Sequence, residues 1–212
     1  MKIISWNLYY RAGAAAADIA DLIEQERPDL FLMQEVTQQI EALPEHAGGH
    51  FFKLPWRGKR YGLAAWAPDA LDLMAIPLPF SRMPGKFPPR QAQIIKLDGM
   101  TIANVHLSHG QMLNRKQLWT IADAIEGPLA IIGDFNAVGP IVMRGFKDVG
   151  PRGTTHRAQK VVPFRLDRCL VRGMRCSRAE ALDRGPSDHR PILLELGAQV
   201  LSRSCKKSIT TT

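Results

Sequence analysis

Along the chain, apolar runs of strand length alternate with two stretches of helical period. Residues 2–6 predict a strand, and residues 14–26 predict a helix with Ile19, Leu22 and Ile23 on one face. Pro28-Asp29 breaks the chain before a buried strand, Leu30-Phe31-Leu32-Met33. Residues 61–66, 91–97 and 101–107 predict further strands. An amphipathic helix follows over 113–125, with Leu118, Ile121 and Ile125 as its apolar side. Residues 129–132, 166–171 and 192–196 predict the remaining strands. Two stretches break the pattern. Residues 77–89 hold five prolines and read as a loop, and residues 138–164, rich in Gly, Pro and basic side chains, read as irregular surface chain. Residues 198–212 are polar and aperiodic and predict a disordered tail after one domain over residues 1–197. Strands mixed with a few helices indicate an α/β layered architecture.

Composition adds bounds to this picture. A chain of 212 residues that is 45% hydrophobic builds one domain with a substantial core. The net charge of +8 suits an anionic partner such as nucleic acid, phospholipid or a phosphorylated metabolite, and suits ordinary solubility equally well. Cys169, Cys176 and Cys205 are odd in number and match no zinc spacing, which points to a reducing compartment. The chain opens on a strand pattern, not a signal peptide, and holds no apolar run of roughly 20 residues. The expectation is a soluble, cytoplasmic monomer without a transmembrane segment, with peripheral contact to an anionic membrane left open.

Candidate chemistry lies where polar residues interrupt the buried strands. Asn7 ends the first, Gln34-Glu35 follows Met33, His106 lies near the end of 101–107, Gly133-Asp134-Phe135-Asn136 follows Ile132, and Ser187-Asp188-His189 precedes the last. Functional residues of layered α/β proteins gather at such ends. Singly, each residue also has a plain structural reading as a turn former, a cap or a hydrogen-bonded core histidine.

In this order the motifs resemble the endonuclease/exonuclease/phosphatase superfamily, which shares the fold of pancreatic deoxyribonuclease. Ser5-Trp6-Asn7, Gln34-Glu35, Ala103-Asn104-Val105-His106-Leu107, Gly133-Asp134-Phe135-Asn136, Arg165-Leu166-Asp167 and Ser187-Asp188-His189-Arg190-Pro191 carry the resemblance from Ile3 to about Leu196. It implies a four-layered α/β sandwich, two packed mixed β-sheets flanked by helices. It also implies hydrolysis of a phosphate ester assisted by Mg²⁺, with Mn²⁺ as a substitute, because a hard cation with oxygen ligands offsets the charge of a phosphodiester. Glu35 is implied as the principal metal ligand, with Asn7 beside it and Asp188 as a second metal-site carboxylate. Asp134 is implied to orient or deprotonate the attacking water and Asn136 to hold it. His189, oriented by Asp167, is implied to meet a non-bridging oxygen, and His106 to contact the phosphate from the other side. Ser187 is expected to support these groups and not to act as a nucleophile. Arg168 departs from the aromatic residue that often follows the late Asp, which puts local packing or substrate contact there in doubt.

Specificity is less legible. Family members act on DNA, RNA, abasic sites, inositol phosphates, sphingomyelin and protein-linked nucleotides. His106 stands where abasic-site endonucleases usually have tyrosine, and the chain is short for the family. Lys53, Arg57, Lys59 and Arg60 flank Trp56 and Tyr61, and Arg144, Lys147, Arg152, Arg157, Lys160 and Arg165 populate the second irregular stretch. Basic residues interleaved with aromatics rank a nuclease acting on DNA or RNA ahead of a phospholipid or small-molecule phosphodiesterase. Phe80, Met83 and Phe87 would give the lipid alternative an apolar lip. His109, Arg115, Trp56 and Arg60 are weaker substrate-binding candidates, and Thr154-Thr155-His156 reads as surface loop in preference to a segment that places a hydroxyl near the site. A catalytically silent binding module of the same fold is the third reading, and the filled catalytic positions oppose it.

Overall fold

The computed structural model describes residues 1–11, 13–56, 59–80, 89–158 and 162–199. In chain order the elements are β1 (Lys2–Asn7), α1 (Ala16–Glu26), β2 (Leu30–Val36), α2 (Leu43–Ala47), β3 (His50–Pro55), β4 (Gly62–Ala67) and β5 (Asp72–Pro77). They continue with β6 (Gln91–Leu97), β7 (Met100–His106), α3 (Gln111–Ala124), β8 (Leu129–Asp134), β9 (Lys147–Asp148), β10 (His156–Ala158) and β11 (Val162–Phe164). The last three are β12 (Asp167–Arg172), β13 (Met174–Ala181) and β14 (Ile192–Ala198). One six-stranded sheet runs β13-β14-β1-β2-β4-β3, the other β5-β6-β7-β8-β12-β9, and β10 and β11 form a separate ribbon. Both sheets are mixed: β1 and β2 are parallel, as are β7 and β8, and the other pairs are antiparallel.

The apolar runs explain the layering. Strands covered on both faces need apolar residues at successive positions, and each such strand splits them between two interfaces. Ile3, Leu30 and Leu32 of the first sheet meet Ile95, Ile102, Ala130 and Ile132 of the second between the sheets. Ile4, Phe31 and Met33 turn the other way and pack under Ile19 and Ile23 of α1. Ile94, Val105 and Ile131 face outward beneath Leu118 and Ile121 of α3. The result is the expected four-layered α/β sandwich. α1 starts at Ala16, where the Asp18 carboxylate accepts the Ala15 N–H at 2.7 Å, and ends on Arg27 in the left-handed conformation just before Pro28.

The two sheets are also joined by buried amides. Gln34 donates to Ser5 Oγ at 3.1 Å and to Asn104 Oδ1 at 2.8 Å; Asn104 donates to Gln93 Oε1 at 3.0 Å, and Gln93 donates to the Phe52 carbonyl at 2.9 Å. Asn104 also reaches the Met33 and Ala64 carbonyls. Gln34 and Asn104, present in two of the sequence motifs, thus fix the register between the sheets directly beneath the strand ends.

Three sequence expectations change. Residues 138–164 are not wholly irregular, since they contain β9, β10 and β11 and bury Met143 and Thr155. The domain runs past residue 197: β14 extends to Ala198, and the Gln199 N–H donates to the Gly173 carbonyl. The rest of the predicted tail, from residue 200, lies outside the described residues, as do Arg57, Met83, Phe87, Lys160 and Cys205. The proline-rich stretch begins inside β5, which ends on Pro77. Among the described residues no helix is long and apolar enough to cross a membrane.

Candidate active site

The sheet register itself assembles the candidate residues. In the second sheet His106 at the end of β7 pairs with Asp134 at the end of β8, and Asp134 pairs with Asp167 at the start of β12. Three neighbouring strand ends therefore carry His106, Asp134 and Asp167 side by side. In the first sheet Asn7 pairs with Gln34, and the next residue, Glu35, is the extra residue of a bulge against β4. A bulge re-aims a side chain, and Glu35 adopts φ 58° to do so. Tyr9 (φ 57°) and Asn136 (φ 48°) are held in the same uncommon region, and all three line one cleft. Gly133 is required by geometry: its φ is 139°, and a Cβ would lie 2.1 Å from the Val105 carbonyl oxygen.

This cleft, about 500 Å³, is lined by Asn7, Glu35, His106, Asp134, Asn136, Asp188 and His189 from the sequence motifs, and by His109. Asp134 is its centre. Its Oδ2 accepts from Asn7 Nδ2 at 3.0 Å, and its Oδ1 accepts from the Asn136 N–H at 2.8 Å. His106 Nε2 lies 3.4 Å and His189 Nε2 3.8 Å from Asp134 Oδ2. His189 Nδ1 is hydrogen-bonded to Asp167 Oδ2 at 2.8 Å. Asn136 Nδ2 donates to the Leu107 carbonyl at 3.0 Å. Ser187 supports the segment as expected: its hydroxyl donates to the Asn7 carbonyl at 2.6 Å and accepts the His189 N–H at 3.1 Å.

The two histidines differ in charge. Burial disfavours the His189 cation, yet Asp167 and Asp134 overcome this and raise its pKa to about 9. Burial, reinforced by Arg90, pushes His106 well below the ordinary value, so His106 is neutral. Burial also opposes the Asp134 carboxylate, but the His189 cation and the hydrogen bonds from Asn136 and Asn7 hold it down at about 2. Burial raises Glu35, despite a hydrogen bond from the Tyr10 N–H to its Oε2 at 3.1 Å.

Two observations bear on a metal. Asp188 Oδ1 is buried with no hydrogen-bond partner among the described residues, and Glu35 Oε1 comes no closer to His106 Nδ1 than 4.0 Å. Glu35, Asn7 and Asp188 offer oxygen donors in one cleft, which fits a hard divalent cation. His156, Asp188 and His189 also lie together, their ligand atoms within 4.8 Å of one another.

The weaker sequence candidates fare differently. His109 lines the cleft. Trp56 does not: it is buried, lies under the Arg90 guanidinium at 4.0 Å and packs on His106 at 5.2 Å, so it supports site residues instead of stacking on substrate. Arg60 and Arg115 are exposed and outside the cleft lining, because Arg60 lies on the turn before β4 and Arg115 on the solvent side of α3. Of the other basic residues, Lys53 pairs with Glu41, and Arg165 pairs with Asp148 through both terminal nitrogens at 2.7 Å. Arg168 is buried, pairs with Asp148 and donates to the Ala137 and Gly139 carbonyls, so it packs the loop after β8.

Several site residues escaped the sequence reading. Arg90 is 6% exposed and lines the cleft, yet its Nε and Nη1 have no acceptor among the described residues. Burial lowers its pKa to about 10, which leaves it charged. It directly follows the proline run that marked a loop, which drew attention to backbone and not to charge. The Thr154-Thr155-His156 reading is overturned. Thr155 is buried and its Oγ1 accepts the Leu166 and Asp167 N–H groups, while His156 bridges to His189 and puts Nε2 3.5 Å from Asp188 Oδ2. Tyr9, Tyr10, Arg11, Lys59 and Tyr61 complete the rim, with Tyr10 and Tyr61 stacked at 4.3 Å.

Residues 4–189 match the Endonuclease/Exonuclease/phosphatase family. The chain belongs to that family. It is therefore a hydrolase of phosphate ester bonds, in a family that depends on a divalent metal. No curated protein matches the sequence significantly. Solved structures with this fold include a conserved protein of unknown function from Enterococcus faecalis, at 22% identity and a TM-score of 0.75, over 94% of this chain and 100% of that one. A mannosyl-6-phosphatase from Bacteroides thetaiotaomicron gives 18% and 0.74 over 93% and 99% of the two chains. A humanized TDP2 from D. rerio gives 18% and 0.73 over the same shares.

Proposed function

We propose that the protein is a Mg²⁺-dependent phosphodiesterase that cleaves nucleic acid by attack of water on a phosphate. The observation that carries this reading is Asp134 held between a neutral His106 and a cationic His189, beside the oxygen donors of Glu35, Asn7 and Asp188. Glu35, Asn7 and Asp188 would hold Mg²⁺ (or Mn²⁺), which would offset phosphate charge and polarise the ester. Asp134, a carboxylate throughout the neutral range, accepts a hydrogen bond from the attacking water and aims it, and Asn136 positions the water or a phosphate oxygen. His189 Nε2–H donates to a non-bridging oxygen and stabilises the charge that develops there; Asp167 keeps it charged and aimed. Neutral His106 and Arg90 hold the phosphate from the other side.

The rim supports nucleic acid as substrate. Arg11 and Lys59 stand beside the stacked Tyr10 and Tyr61, the combination of cations and π-faces that grips a single strand. A small phosphoester is the second reading, supported by a cleft volume of about 500 Å³, the scale of a small-ligand site.

The test is a panel of DNA and RNA oligonucleotides, sugar phosphates and phospholipid vesicles, each with Mg²⁺, Mn²⁺ or chelator. Cleavage of an oligonucleotide with Mg²⁺ and not with chelator is the expected result. Turnover of a sugar phosphate or a phospholipid with no cleavage of any oligonucleotide would overturn the substrate assignment.

A further inference from the structure

Next to the cleft, a second cavity of about 320 Å³ is lined by Thr154, Arg157, Asp183, Arg184 and Arg190. Three guanidinium groups meet one carboxylate there. Arg165 and Arg168 are matched to Asp148, and Arg178 to Glu180 and Glu195. In the second cavity two are instead fastened to main-chain carbonyls. Arg190 donates from Nε to the Leu182 carbonyl at 2.6 Å and from Nη2 to the Ala181 carbonyl at 2.7 Å, and Arg184 donates to the Asp188 carbonyl. Carbonyl partners fix a guanidinium in space without neutralising it.

Such an arrangement leaves net positive charge facing the cavity, which an anion would offset. Partial burial, and after it the proximity of Arg157 and Arg190, holds the Arg184 guanidinium below its ordinary pKa. Preset planar guanidinium groups suit pairs of oxygens on a tetrahedral phosphate. The cavity is tied to the cleft through one residue: the Asp188 carbonyl accepts from Arg184 and from the Arg157 N–H at 3.1 Å, while the Asp188 side chain lines the cleft. The Arg190 N–H donates in turn to the Thr155 carbonyl at 2.7 Å. A phosphate in this cavity therefore sits one backbone segment away from the reacting phosphate.

We propose that Arg157, Arg184 and Arg190 form a subsite for a second, uncleaved phosphate of the substrate strand. The subsite rests on the nucleic-acid reading above. It separates substrates with several phosphates from those with one, and it makes strand binding more dependent on salt than turnover of a single ester.

The experiment compares the wild-type chain with the double variant R157Q/R184Q in two measurements. The first is binding of a labelled single-stranded oligonucleotide in chelator across a salt series, alongside turnover of bis(p-nitrophenyl) phosphate with Mg²⁺. The expected result is a loss of oligonucleotide affinity at least about tenfold greater than any loss on the single-phosphate ester, with a salt slope shallower by about 2. The second titrates inorganic phosphate while following the Nε–H resonances of Arg184 and Arg190, which are expected to shift in the wild type. Equal losses on both substrates, or an unchanged salt slope, would overturn the subsite. If the wild type neither binds nor cleaves any oligonucleotide, the nucleic-acid reading falls. The phosphate titration then decides the cavity alone, and still resonances overturn it.

Discussion

His189 Nδ1 lies 2.8 Å from Asp167 Oδ2, and this contact fixes the charge and the aim of the imidazole together. Replacing the carboxylate by its amide keeps the shape and removes the charge. Asp167→Asn should lower kcat by about 100-fold, with a much smaller change in KM, the scale of effect typical of an orienting partner. Steady-state kinetics on a phosphodiester checks this, with circular dichroism to confirm the fold. Wild-type turnover in the variant would remove Asp167 from the mechanism.

Arg90 is a buried cation with two nitrogens unsatisfied by the described protein, held over Trp56. Arg90→Met should reduce kcat/KM by about 100-fold, since hydrogen bonds to a charged group in a dry cleft are worth about 2–3 kcal/mol. Trp56→Leu removes the platform and leaves the charge, so its loss should be smaller, on the order of tenfold. A loss in Trp56→Leu as large as that in Arg90→Met would contradict a merely supporting role for the ring.

The strands legible in the sequence are all interior ones. β1, β2, β4, β6, β7, β8, β12 and β14 each have a neighbour on both sides, and their residues run apolar at successive positions. Of the missed strands, β3, β5, β9 and β13 are the edges of the two large sheets, and β10 and β11 form the separate ribbon. Edge strands are half-solvated, so β13 reads as mixed polar sequence with no clean alternation, while in the sequence the apolar Leu73-Met74-Ala75-Ile76 of β5 runs straight into the proline-rich stretch that begins at Pro77. The site divides the same way. Asn7, Glu35, His106, Asp134 and Asp167 terminate interior strands and stood out against apolar neighbours. Arg90, His156 and Tyr10 come from a loop, a short ribbon and a turn, where polar residues are the background. Trp56 misled because aromatic-plus-basic spacing does not reveal which face of the ring is covered.

Gly133 carries a packing constraint that the sequence motif does not explain by itself. Gly133→Ala places a Cβ 2.1 Å from the Val105 carbonyl oxygen at a φ of 139°. The neighbour is backbone in the middle of a sheet, so the strain should cost at least about 3 kcal/mol. Chemical denaturation measures it; a cost below about 1 kcal/mol would show that β7 and β8 can separate there.

Stability should also depend on pH through Asp148, which lies 2.7 Å from Arg165 and 3.1 Å from Arg168. Burial alone would raise its pKa, but the two guanidinium groups lower it below the ordinary value. A carboxylate depressed in the folded state stabilises above its unfolded pKa of about 3.9, and that contribution fades as pH falls through the folded value. Asp148→Asn should therefore cost about 2 kcal/mol at neutral pH. The gap to wild type should narrow once the pH drops below about 4. Urea denaturation from neutral to acid pH gives the comparison, and a constant gap would contradict it.

The central claim is metal-assisted hydrolysis at the cleft that Glu35 shares with Asp134 and His189. It is tested most directly by cleavage of a labelled oligonucleotide under single-turnover conditions as Mg²⁺ is titrated into chelated wild type and Glu35→Gln. The account predicts no cleavage in chelator, full recovery of the wild type with Mg²⁺, and a rate at least about 100-fold lower in the variant at any Mg²⁺ concentration. Cleavage that persists in chelator, or a variant with the wild-type Mg²⁺ dependence and rate, would contradict it.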